Sequence, residues 1–247
     1  MTTYKKIYRE TFDHGPGGWI GWEGQHTPGS GARLLELNQG VVVSRSPWWV
    51  DYNHAPPGGG HLHLLFILHT VRGFGNSHGV DEAGGPNGYI EGGFPTNMTN
   101  AKFIVRIKGE VKLRGSQFCL HIQGNLSRDP AKPNFVNQVL VGQPLWITPE
   151  WSEQTIHLVP DQSQWVNLGS RFDRTDFYGN APIADLLRDV NVDIILLFFP
   201  VDARPLHPVE GDLQKLRADL DYEVDRSFLP EGQIMLDEVR IEFPHSA

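Results

Sequence analysis

An all-β, two-sheet antiparallel jelly-roll sandwich is the fold this sequence predicts, and three observations carry that reading. Glycine (27 residues) and proline (18) are frequent and cut the chain into short segments. Those segments are rich in Val, Ile and Phe, which fit a pleated, half-buried surface. Within them apolar residues alternate, whereas the three-to-four spacing of helices is scarce. The 247 residues, 39% of them hydrophobic, suffice for one packed domain over 1–247, and no repeat or linker divides them.

Strands are expected at 4–12, 32–37, 40–46, 61–70, 101–113, 116–124, 135–141, 152–159, 192–201 and 232–243. Two stretches have helical spacing. In 181–190, Pro182 suits a first turn, and Ile183, Leu186 and Leu187 share one side. In 210–224, Leu213, Leu216 and Leu220 recur among charged residues, which predicts a surface helix within a charged, partly helical insertion near 203–231. The connections 46–60 and 72–95 are long, and long loops of compact domains are often functional.

The formal net charge is −8, and no basic stripe is present, so nucleic acid is not an expected partner. The longest apolar run, 194–201, is too short to span a bilayer. The opening MTTYKKIYRETFDHG has no apolar leader segment, so a cytoplasmic location is the expectation. Cys119 is the one cysteine, which leaves no intrachain disulfide.

The stretch GHLHLLFILHT (60–70) sets histidines beside leucines. Side chains alternate across a strand, so Leu62, Leu64, Phe66 and Leu68 are expected in the core and His61, His63 and His69 on the other face. The same parity turns Phe103, Val105 and Ile107 inward and Arg106 outward. It also turns Phe118, Leu120 and Ile122 inward and Cys119, His121 and Gln123 outward. If these strands pair, one face gathers His61, His63, Arg106, His121 and Gln123. Trp48, Trp49, Tyr52 and His54 of the first long loop and Tyr89 of the second complete a groove. Sugars need flat apolar surfaces for their C–H faces and planar donors and acceptors for their hydroxyls. Trp48, Trp49 and Tyr52 are the expected stacking residues, and the histidines, Arg106 and Gln123 the hydrogen-bonding ones.

The segment ETFDHGPGGWIGW (10–22) has a Phe12-Asp13 pair, a Gly-rich turn at His14–Gly18 and then Trp19. GQIMLDEVRIEF (232–243) carries a Leu-Asp-Glu-Val pattern at Leu236–Val239, and ITPEWSEQTIHL (147–158) a Thr-x-x-Trp lead-in ending at Trp151. Together these resemble the family 4 and 9 carbohydrate-binding modules. The resemblance implies a galactose-binding-like jelly roll, a sugar groove on one sheet and Trp151 as a core anchor. It also implies a structural calcium where the first and last strands meet, with Glu10, Asp13 and Asp237 as oxygen ligands. The chain departs from that family in its greater length and in its histidine-rich central strand.

The leading expectation is therefore binding of a carbohydrate or similar polyhydroxylated ligand. The alternative is an enzyme on the same face, a lyase, isomerase or hydrolase acting on a sugar-like or aromatic substrate. There His63 and His121 serve as acid and base, oriented by Asp51 or Glu91. His61-x-His63 with His121 is also a candidate transition-metal set. A partner chain docked on an apolar face is a third class, and a plain hydrogen-bonded sheet face without function is a fourth. Cys119 reads as a small hydrophobe, and Trp165 as either rim or core.

Overall fold

Two antiparallel sheets enclose a shared apolar core in the computed structural model, which describes residues 4–22, 32–50, 61–72, 85–127, 129, 131–168, 178–213 and 216–244. In chain order the strands are β1 (Tyr4–Glu10), β2 (Trp19–Trp22), β3 (Ala32–Arg33), β4 (Glu36–Asn38) and β5 (Val41–Arg45). Next come β6 (His61–His69), β7 (Lys102–Lys112), β8 (Gln117–Asn125), β9 (Phe135–Leu145) and β10 (Ser152–His157). The last are β11 (Trp165–Asn167), β12 (Tyr178–Gly179), β13 (Asp193–Val201) and β14 (Glu231–Pro244). Sheet A has the order β10-β7-β14-β5-β4, with β1 also on β14. Sheet B has the order β11-β9-β8-β13-β6-β2-β3, with β12 parallel on β9. The expected strands are present except that 32–37 is divided: Ala32–Arg33 pairs with β2 in sheet B and Glu36–Asn38 with β5 in sheet A. β2, β11 and β12, which are four residues long or fewer, are additions.

Alternation builds the core. Phe103, Val105 and Ile107 of β7 face Phe118, Leu120 and Ile122 of β8 and Ile194, Leu196 and Phe198 of β13 through one apolar cluster. In β14, Ile234 and Leu236 point inward, and so do Val239 and Ile241. The parity changes at a bulge at Asp237. An extra residue bends a strand and re-aims its side chains. Here the bulge divides the part of β14 that pairs with β5 from the part that pairs with β1.

Two short α-helices are described, α1 (Gly88–Glu91) and α2 (Ile183–Arg188). The second is the helix expected at 181–190, with Ile183, Leu186 and Leu187 buried. The helix expected at 210–224 is not formed by the described residues of that stretch. They make turns and isolated bridges, Pro205 with Val224 and Ala218 with Tyr222. Ala218, Tyr222 and Val224 enter the core, while Leu213 and Leu220 stay exposed. Burial of those three outweighs the leucine stripe, and Asp219, at φ +61°, holds a left-handed backbone that ends any helix there. The helical part of 203–231 among the described residues is the 3-10 turn Arg226–Phe228.

The two sheets differ in chemistry. The outer face of sheet A is charged and ion-paired: Glu238 accepts from Arg9 (2.8 Å) and Arg240 (2.9 Å), and Asp237 pairs with Arg106. Sheet B carries buried apolar residues on both faces. Beyond the shared core, Ile20, Leu64, Ile67, Val139, Ile195 and Leu197 form a second buried cluster on its outer side. Strands buried on both faces read as near-continuous apolar runs, which accounts for LHLLFILH and IILLFF.

One edge of the sandwich is stitched by glutamines. No backbone ladder joins β9 to β10 among the described residues. The Gln143 amide instead accepts from His157 N (2.9 Å) and donates to His157 O (3.0 Å). Gln154 reciprocates on Trp146, accepting from N (2.8 Å) and donating to O (2.7 Å). Each amide stands in for a peptide group and caps an edge that is otherwise open to pairing. Gln143→Ala or Gln154→Ala should each cost about 1 kcal/mol. Urea unfolding midpoints measure this, and the double substitution should also raise the tendency to aggregate.

Candidate functional site

A bulge in β6 decides which residues form the site. Leu68 lies opposite Ile194 and Phe66 opposite Leu196, but Leu64 lies opposite Leu197, so Leu65 is the extra residue. Leu65, Phe66 and Leu68 join the inter-sheet core, whereas Leu62, Leu64 and Ile67 join the outer cluster. A one-residue slip moves every following side chain to the other face. The expected leucine face is thus split, and so are the histidines. His63 turns into the sandwich. Its Nδ1 donates to the carbonyl of Trp49 (2.7 Å), and its ring lies 6.1 Å from that of Trp48. His69 turns to the outer face.

That outer face carries a row of buried polar side chains. Asn137 of β9 is opposite Gln123 of β8, Gln123 is opposite Asp193 of β13, and Asp193 is opposite His69 of β6. His121 lies one position along β8 on the same face, between Val139 and Ile195. All five are at most 6% exposed. Directly opposed residues bring their Cβ atoms to about 5 Å, so the row is contiguous. It lies where β6 ends and β13 begins. There Thr70 Oγ1 donates to the carbonyl of Val190 (2.6 Å), and the amide of Asn87, which caps α1, donates to the carbonyl of His69 (2.9 Å). Trp22 packs on the same outer cluster.

Burying polar groups costs free energy unless partners replace water. The Asn137 amide stands out, because neither its oxygen nor its nitrogen has a hydrogen-bond partner among the described residues. Such a group costs about 1–3 kcal/mol. Together the row offers two amides, a carboxylate and two imidazoles, which can donate to and accept from hydroxyl groups. A carboxylate opposite an imidazole also has the parts of an acid–base pair.

The remaining expected residues disperse. Trp48, Tyr89 and Trp165 are buried in the inter-sheet core, and Trp49 is half-buried. Arg106 does not join the histidines. It points outward as expected, but on sheet A, where its guanidinium lies 5.0 Å from the Trp151 ring. Trp151 is therefore not a core anchor; it is half-buried beneath Arg106 and Lys108 (4.7 Å). Glu91 is exposed on α1. Asp51, Tyr52 and His54 lie outside the described residues, as does the side chain of His61. His63 and His121 face opposite sides of sheet B, so they neither work as an acid–base couple nor share a metal ion.

The three carboxylates expected to hold calcium sit in separate sets of contacts. Glu10 accepts from Phe12 N (2.8 Å), Asp13 from Thr11 Oγ1 (2.7 Å), and Asp237 pairs with Arg106. Among the described residues no group of three or more His, Cys, Asp or Glu is arranged to hold a metal ion. No described helix is long and apolar enough to cross a membrane.

The spacing turned His121 and Gln123 away from the inter-sheet core, as the structure has them, but it did not single out Asn137 and Asp193 or bring His69 into their row. Their signal was a single polar residue set in an apolar run, as in FVNQVLV and VDIILLFF.

Cys119 lies on the same face, and burial pushes its thiol up to about 12. It should therefore resist thiol reagents at pH 8 in the native protein and react at once in denaturant, as a chromogenic disulfide assay would record.

Fold and site define a two-sheet antiparallel β-sandwich with a buried polar row on the outer face of its larger sheet. No protein-family model and no curated protein matches the sequence. The chain is similar to a solved structure from work on endo-acting O-glycanases, expressed by prominent members of the human gut microbiota to initiate mucin breakdown. The match covers 98% of this chain and 100% of the other at 12% identity, with a TM-score of 0.38. A similarity of that size assigns neither ligand nor activity.

Proposed function

We propose that the outer face of sheet B binds a small polyhydroxylated ligand, a carbohydrate foremost, through Asn137, Gln123, Asp193, His69 and His121. The observation that carries this reading is the buried Asn137 amide without a partner, in register with other buried polar side chains. A ligand hydroxyl that both donates and accepts would satisfy that amide and recover its desolvation cost. Ile195 and Val139, both buried, flank His121 in the row.

A second reading is favoured by the register of Asp193 and His69. A carboxylate fixes the tautomer and orientation of a neighbouring imidazole, and the imidazole then moves a proton to or from the ligand. In that case the protein is a lyase, isomerase or hydrolase on a sugar-like substrate, with His69 as the acid–base residue and Asp193 orienting it.

Screening neutral glycans and simple glycosides for both binding and turnover tests the two together. Asn137→Leu removes the unpartnered amide at similar volume. It should raise stability by about 1–3 kcal/mol and weaken binding at least tenfold. His63→Ala should lower stability by about 1–3 kcal/mol through loss of the Trp49 contact, with affinity retained. If chemistry occurs, His69→Ala should cut turnover roughly a hundredfold or more. Unchanged affinity in Asn137→Leu would contradict the reading.

A further inference from the structure

Three side-chain amides of this fold are satisfied in the same way. Asn191 accepts from the main-chain N–H of Asn125 (2.7 Å) and donates to the carbonyl of the same residue (3.1 Å). Gln143 does so with His157, and Gln154 with Trp146. Each amide edge thus meets a donor and an acceptor that stand side by side. Gln138, next to Asn137 and on the opposite face, also uses both ends, donating to the Ala181 carbonyl (2.7 Å) and accepting from Gln162 (3.0 Å). Asn137, 1% exposed, uses neither end among the described residues. Its main chain is held on both sides, by the β8 ladder and by Leu168 N, which donates to its carbonyl (2.9 Å). A contact carried by such a strand is well positioned before any ligand arrives.

We infer that Asn137 recognises a vicinal pair of hydroxyls, one donating to its Oδ1 and the other accepting from its Nδ2. The inference rests on the binding reading above and narrows the ligand to one with two neighbouring hydroxyls held gauche. A primary amide points one N–H and its carbonyl the same way along one edge. A single hydroxyl meets both atoms only through bent hydrogen bonds, which weaken as they leave linearity. Neighbouring hydroxyls held gauche on a ring offer a donor and an acceptor abreast, as the peptide groups of Asn125, His157 and Trp146 do for their amides. Antiperiplanar hydroxyls point apart and leave one end of the amide unmet, and a buried polar atom left unmet is unfavourable.

The test uses the methyl glycosides of glucose, galactose and mannose, each with its full monodeoxy series, titrated calorimetrically into the full chain and into Asn137→Leu. For a glycoside that binds, removing either of two adjacent hydroxyls should weaken binding by about tenfold or more, because each removal leaves a buried amide atom unpaired. In Asn137→Leu those two losses should shrink to within about threefold, while the loss for any other hydroxyl stays the same in both proteins. Coupling of Asn137 to one hydroxyl alone, or to two that are not neighbours, overturns the inference and leaves the binding reading intact. N-acetylalanine N-methylamide carries the peptide form of the same pair, and tighter binding of it than of every glycoside, lost in Asn137→Leu, also overturns the inference. Failure of every glycoside to bind, or identical affinities in the two proteins, overturns the binding reading itself.

Discussion

Sheet B is covered on both faces, and the rest of the structure follows from that constraint. On the inner side it meets sheet A through Phe66, Phe118 and Phe198, and on the outer side Ile67, Ile195 and Leu197 are buried as well. A strand in that position has no cheap place for a polar side chain. Sheet A, with one solvated face, spends its charged residues outward in ion pairs such as Arg9 with Glu238, which contribute little to stability and much to solubility. Against that background, five buried polar side chains gather near one end of sheet B, and among the described residues the Asn137 amide lacks a hydrogen-bond partner.

The β6 bulge shows how one residue redistributes side chains between the two faces of a sheet. Without Leu65 as the extra residue, His63 and His69 would lie on one face. With it, His63 becomes a structural post that holds the Trp48–Trp49 corner, and His69 joins Asp193. Backbone irregularity thus sends two histidines with the same sequence signature into different surroundings. The bulge at Asp237 does comparable work in sheet A, where it lets a single strand serve β5 and then β1.

Much of the fold was legible because alternation is local. Phe103, Val105 and Ile107 point inward and Arg106 outward as their spacing requires, and the 181–190 helix formed where Pro182 and its leucines placed it. Less of the site was legible. Which sheet a strand joins is a long-range matter, so Arg106 could not be separated from His121 by parity alone. A bulge leaves no mark in an unbroken run such as HLHLLFILH. The leucine stripe at 213–220 failed because Ala218, Tyr222 and Val224 found the core first. Asn137 and Asp193 were visible as polar interruptions, but their shared row depends on register across four strands.

The resulting picture is of a sandwich with one buried amide that lacks a partner among the described residues, and a group of that kind costs stability. The central claim is that the Asn137 amide waits for a ligand. Side-chain amide resonances report on it most directly, in a two-dimensional nitrogen–proton spectrum recorded while neutral oligosaccharides are added. The account predicts that the Asn137 and Gln123 signals move together and saturate, with those of Gln143 and Gln154 at the glutamine-stitched edge unchanged. Saturable movement confined to that edge, with Asn137 still, would contradict it.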